Sequence, residues 1–396
     1  MQGWEKPARG KPDETLGSRR AGGSHGNDRG RGAELTEVKL NGQTIRIPNQ
    51  INSLKAVDNA FRSLNDLEHC EILNFDFRWC QFSEPFALLY LGRRITNIKD
   101  EHVALETKIL IPKHPTSAFF GYAPHVGFFD FIGSDIGRKM GEAQGSPNYF
   151  PIRHWCIEKI LSLSNGDPVG AFIDRQAGKI AKILIQEDSG DIFAMVQYAI
   201  REIVRNSIEH SKGKSCWFFG QYWPKKNLAE IVVMDDGVGI SDTLIDNEYI
   251  DVSTNLAGMK LSLFPGVTGV TRAERLEQDD TWGNSGFGLY ILSEIFGKFG
   301  EFHMISENDY LKINKQGQCH KAYPFRGTGI AIRFPVRALE HARGELDSIN
   351  SRGEKLRSEL LKDFPIKASV ASRMLSSHCS KKIKKGQDAI GSLGTL

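Results

Sequence analysis

The chain has 396 residues, 40% hydrophobic and 25% charged, which is long and apolar enough to bury one or two sizeable cores. That composition excludes collagenous, coiled-coil and wholly disordered chains. The formal charge is only +3, and it is unevenly placed: residues 1–33 hold seven Lys/Arg against four acids, and residues 376–396 hold four against one. Each tail is therefore near +3 and the body between them near −3. A folded nucleic-acid groove, which needs clustered cations, is not expected, although the basic tails can touch acidic partners. The six cysteines form no CxxC pair and no metal spacing, a pattern that fits a reduced, cytoplasmic protein. There is no signal-like apolar run at the N-terminus and no stretch of membrane-helix length, so neither secretion nor membrane insertion is expected.

In chain order, residues 1–33 contain eight glycines and almost no large apolar side chain, the composition of a disordered Gly/Arg-rich tail. Residues 34–145 read as an α/β domain. It opens with "TEVKL" and "QTIRIP" flanking an Asn-Gly turn, a hairpin signal. A helix carrying Leu54, Val57, Phe61 and Leu64, the strand "CEILNFDF" and the helix "EPFALLYLGRRI" follow. Pro85 suits the first turn of that last helix. The Phe/Gly-rich stretch "FFGYAPHVGFFDFIG" is read as packing rather than as a ligand platform. Residues 146–190 are a connecting segment with the helix "RQAGKIAKILIQ", residues 191–337 a second compact unit, and residues 338–396 a charged surface helix with a basic tail.

Three segments of the second unit carry chemistry together. In "FAMVQYAIREIVRNSIEHS" a helical apolar stripe is flanked by Glu202, Asn206 and His210 at four-residue spacing, so a carboxylate, an amide and an imidazole share one helix edge. A carboxylate can polarise a water or hydroxyl, and an amide oxygen one turn away is a hard ligand suited to Mg²⁺. "LAEIVVMDDGVGIS" is an apolar strand that ends at Asp235, followed by Gly237 and Gly239, which let the backbone turn sharply beside a ligand. In "WGNSGFGLYILSEIFGKFG", Gly286 and Gly288 open a helix whose free N–H groups suit phosphate. Each segment alone has an ordinary structural explanation: a solvated helix edge, a strand-to-loop turn, a glycine loop before a core helix. Neither the dinucleotide fingerprint nor a P-loop occurs.

In this order, E-x-x-x-N, D-x-G-x-G, a long variable stretch and G-x-G-L resemble the ATPase domain of the GHKL superfamily, which unites gyrase, the large heat-shock chaperone, sensor histidine kinases and MutL. "GTGIAIRFP", residues 327–335, resembles the last glycine box and closing strand of the histidine-kinase type. The resemblance implies a two-layer Bergerat-type sandwich with a mixed sheet and helices on one face, binding ATP and Mg²⁺. It implies Glu202 as general base, Asn206 as the Mg²⁺ ligand and Asp235 as the adenine-binding carboxylate. Gly237 and Gly239 would shape the adenine pocket, Gly286 and Gly288 the phosphate loop, and Thr328 would support the purine side. Residues 241–282 would form a lid, and His210 would be structural or contact that lid. Asn284 departs from the family's first phosphate-loop glycine, which places turnover in question.

No histidine is followed by Asp or Glu, so orthodox histidine phosphotransfer is not expected. The run "EILNFDFRWCQFSEPFALLYLGRRI" resembles the strand, switch loop and helix of STAS-like modules, in which Ser83 would stand near the phosphorylatable position. The main expectation is an ATP-driven regulatory switch with a protein partner or homodimer. The alternatives are an anti-sigma-factor-type serine protein kinase fused to a STAS-like module, and a nucleotide sensor without hydrolysis.

Overall fold

The computed structural model describes residues 41–162, 169–245, 252–267, 269 and 286–360. The "TEVKL" half of the expected hairpin, both tails, Asn284 and residues 246–251, 268 and 270–282 of the expected lid lie outside the described residues.

The first elements are strand β1 (Gly42–Arg46), β2 (Gln50–Ile51), helix α1 (Leu54–Phe61), β3 (Ile72–Asp76), β4 (Phe82–Ser83), α2 (Pro85–Glu101) and β5 (Glu106–Leu110). β1, β3 and β5 form a parallel sheet with β3 central, and Ile45 stands opposite Phe75. Ser53 caps α1 by accepting a 3.3 Å hydrogen bond from the Ala56 amide, which satisfies one of the helix's orphan donors. Leu54, Val57 and Phe61 then fall on one buried face.

α2 is different in kind. Every residue from Pro85 to Arg93 is buried, and a helix apolar on all sides belongs between two layers rather than at a surface. A Cβ at Gly92 would approach Phe131 to 2.3 Å, so the glycine lets the aromatic segment lie against the helix axis. That segment folds as two short helices, α3 (Ala118–Tyr122) and α4 (Phe128–Phe131). Phe119, Phe128 and Phe129 are buried around the Phe77 ring at 5.4 to 5.9 Å between centroids. Phe131 is buried too and Phe120 packs partly buried against this core, so the segment is packing, as expected.

The remaining elements are β6 (Tyr149–Cys156), α5 (Ile157–Ser162), α6 (Val169–Ile185), α7 (Asp191–Arg205), β7 (Ser215–Trp223), β8 (Leu228–Asp235), α8 (Ile240–Leu244), α9 (Asn255–Ser262), α10 (Gly288–Phe299), β9 (Glu301–Ser306), β10 (Asp309–Asn314), β11 (Gly317–Ala322), β12 (Thr328–Pro335), α11 (Leu339–Ala342) and α12 (Leu346–Leu360). The strands form one sheet in the order β11-β10-β9-β12-β8-β7-β6.

The large sheet departs from the expected domain in two ways. The large sheet is antiparallel at every pair rather than mixed. Short turns join β7 to β8 and β9 to β10 to β11, which forces antiparallel neighbours, and parallel pairing is confined to the short strands β1 to β5. The sheet is also covered on both faces, not one. Along β8, Ile231 and Val233 enter the core formed with α6, α7 and α10, whereas Val232 and Met234 enter the core formed with β1, β3 and α2. Period-two alternation with apolar residues on both sides is the mark of a strand buried on both faces.

The expected connecting segment supplies an edge strand, β6, and a helix, α6, that packs on α7. The expected surface helix is docked as well, through buried Leu339, Ala342, Leu346 and Ile349. One polar cluster joins α2 to the large sheet. The Phe86 amide donates to Glu230 Oε1 at 2.8 Å, and the Arg333 guanidinium donates to Glu230 Oε2 at 3.1 Å and to both oxygens of Glu84. Burial pushes the Glu230 carboxyl up to about 7 against the pull of Arg333.

Candidate functional site

On the face of the large sheet that carries α7 and α10 lies an open cleft of about 790 Å³, its solvent mouth included. Glu202, Asn206, His210, Asp235, Gly286, Gly288 and Thr328 all line it. They come from four separate segments of sequence.

α7 buries one face with Met195, Val196, Ala199, Ile200, Ile203 and Val204, which turns Glu202 to the cleft. The helix does not stop at Arg205: residues Asn206–His210 continue as one π-helical turn. This wider turn, a geometry found often at functional sites, keeps Asn206 and His210 on the cleft wall and adds Ser207 and Ser211. Arg201 Nη2 holds Glu202 Oε1 at 2.8 Å. The other oxygen, Oε2, lies against the first residue of α10, where a Cβ on Gly288 would be only 2.3 Å away. Glu202 thus sits at a helix N-terminus, where the aligned peptide dipoles favour negative charge.

Asn206 is half-buried, and its side chain makes no hydrogen bond among the described residues. No group of three or more His, Cys, Asp or Glu that could hold a metal occurs among those residues. The donor set is therefore no closed cage. A free amide oxygen beside a carboxylate does fit Mg²⁺, which keeps waters and takes ligands from substrate phosphates, and those phosphates are what the helix N-terminus suits.

Asp235 ends β8, almost wholly buried. Burial pushes its carboxyl up to about 7, opposed by hydrogen bonds from the Gly237 amide, the Ser207 hydroxyl and the Thr328 amide. The two backbone donors reach Oδ1 at 3.1 and 3.2 Å. Thr328 also places its hydroxyl 3.4 Å from the Val238 carbonyl and 3.4 Å from Ser306 Oγ. The fully buried Ser306 hydroxyl in turn accepts from the Ile240 amide at 2.8 Å. The strand end, the following turn and β12 are thus tied together around one carboxylate.

Gly237 and Gly239 do not line the cleft; Val238 and Ile240 do. A Cβ at Gly237 would come 2.0 Å from the Ser211 carbonyl oxygen, so this glycine lets the turn press against the π-helical segment. Gly286 has φ +69°, and a Cβ there would meet the Gly266 and Val267 backbone at 2.7 Å, which leaves glycine as the residue that fits.

No protein-family model matches this chain, and no curated protein matches it.

Sequence reasoning missed Ser207 and Ser306, which act through hydrogen bonds to the Asp235 end of the cleft. It also named no individual residue of the segment after Gly239, where Thr243, Leu244, Ser262, Val267 and Gly269 line the cleft. Their only sequence signal is position within the stretch expected as a lid. Ser83 is not among the lining residues: it is 4% exposed at the end of β4, and its hydroxyl has no hydrogen-bond partner among the described residues.

Proposed function

We propose that this chain is a Mg²⁺-dependent ATP-binding regulatory protein whose large sheet and helices form a GHKL-type ATPase domain, working as an ATP-driven switch. The observation that carries the reading is the convergence on one cleft of Glu202, Asn206, Asp235, Gly286, Gly288 and Thr328. In this reading the adenine amino group donates to Asp235, while the amides at the start of α10 receive the phosphates. Mg²⁺, when bound, supplies positive charge to the phosphates, and Asn206 would hold it. Glu202 accepts a proton from the attacking water, and Arg201 orients it for that task. The layered β1 to β5 region is read as a STAS-like module, supported by its parallel sheet and α2. Through α2 and the Glu84–Arg333–Glu230 cluster, a change in the sheet reaches that module. A protein partner or a second copy of the chain would receive it.

The serine-kinase reading requires Ser83 to leave a buried position in another layer before it can accept a phosphoryl group, so hydrolysis is preferred. Incubation with Mg²⁺ and ATP labelled at the γ-phosphate tests the choice. Hydrolysis predicts free labelled phosphate, lost in Glu202→Ala. Label retained on Ser83 would replace this reading with the kinase. Label that stays on ATP in both proteins would leave the nucleotide sensor.

A further inference from the structure

A second cavity lies across the Asp236–Val238 turn from the nucleotide cleft. It runs between α2 and the β6–β7 edge of the sheet, with about 1440 Å³ of empty space, its opening included. Val238 lines both cavities.

At its base stands Arg93, 5% exposed. Its guanidinium lies 4.4 Å above the Trp217 ring, whose plane also stacks with His154 at 5.4 Å. Its hydrogen bond among the described residues is a long one, 3.3 Å from Nη1 to Thr96 Oγ1, and Nε has no partner. A buried cation without a paired carboxylate is costly, and buried donors are nearly always satisfied. Burial lowers the Arg93 pKa, while Asp236 and Asp100 favour its charge, so the guanidinium stays charged and short of acceptors.

The opening adds exposed Lys214 and Arg326, which form no ion pair among the described residues. Asp236, another acid of the lining, accepts through Oδ1 from the Lys214 and Ser215 amides, each at 2.8 Å, and forms no ion pair among the described residues. Asp100 and Glu101, at the C-terminal end of α2, line the cavity as well and make no ion pair among the described residues. Carboxylates there repel a polyanion and accept hydrogen bonds from hydroxyls.

We infer that this cavity is a binding site for a small phosphorylated, hydroxyl-bearing metabolite, with the phosphate on Arg93, Lys214 and Arg326 and the hydroxyls toward Asp100 and Glu101. Arginine and lysine together suit a phosphate by charge-assisted hydrogen bonds. The acids exclude nucleic acid and leave a compact, singly phosphorylated molecule.

Calorimetric titration of the full chain with inorganic phosphate, ribose 5-phosphate and unphosphorylated ribose, without ATP, tests the site. Ribose 5-phosphate is expected to bind at least about tenfold more tightly than either fragment. The exposed double variant Lys214→Ala/Arg326→Ala, which leaves the core intact, is expected to weaken it at least about tenfold. Arg93→Gln should abolish binding in a protein whose circular dichroism is unchanged. Asp235→Asn, in the other cleft, should leave it untouched, so failure of the nucleotide reading and failure of this one are separable. Absence of binding, equal binding of phosphate and ribose 5-phosphate, or binding lost in Asp235→Asn but kept in the double variant would each overturn the assignment.

Discussion

A Cβ on Gly288 would stand 2.3 Å from Glu202 Oε2, so the first residue of α10 and the acid of α7 approach to a distance that only glycine allows. Gly288→Ala is expected to displace the carboxylate rather than the helix, because the clashing atom is the end of a flexible side chain. If the proposed function holds, ATP turnover should fall by about tenfold or more, since small misplacements of catalytic groups are expensive. The melting temperature should move by no more than about 4 °C. Equal loss of stability and turnover would contradict this.

The raised carboxyl of Asp235 gives a pH signature. Its folded value, about 7, lies above the ordinary 3.8, so the folded state holds the proton more tightly than the unfolded chain. Stability from this group is present at low pH and declines as pH rises between those two values. Glu230, also raised to about 7, adds in the same direction. Thermal unfolding followed from pH 5 to 8 should show a falling midpoint, and Asp235→Asn should flatten part of the slope. ATP affinity should run the other way, rising with pH as the carboxylate forms.

Arg333 bridges two carboxylates, one of them almost wholly buried. Arg333→Met leaves Glu230 without its cation and should cost about 3 to 5 kcal/mol in urea denaturation, the penalty of an orphaned buried charge. Glu230→Gln in the Arg333→Met background should recover much of that loss, because the charge is then gone.

Gly92 meets Phe131 across the α2 seam. Gly92→Val should destabilise by about 1 to 3 kcal/mol through overpacking, measured by the same denaturation, with the Asp235 cleft unchanged.

Much of the cleft was legible because its chemistry is local in sequence. The α7 stripe, the turn after Asp235 and the glycine entry to α10 each occupy fewer than twenty residues, and helix period and glycine placement are short-range signals. The layer order was not. β12 pairs with β8 through partners such as Arg333 and Glu230, about a hundred residues apart, and no local pattern encodes that choice. β6 looked like a connector because an edge strand needs a partner to be recognised. The helix α2 and its Pro85 start were readable, but not the two sheets that bury it. Ser207 and Ser306 escaped notice because a serine's role depends on the acceptor it meets, here Asp235 and its neighbours.

In the proposed function, the cleft around Asp235 binds ATP. Calorimetric titration of the full chain with ATP and Mg²⁺, alongside Asp235→Asn, tests it most directly. One site per chain is expected, weakened at least about tenfold by the substitution. Absence of binding, or equal affinity in the two proteins, would contradict it.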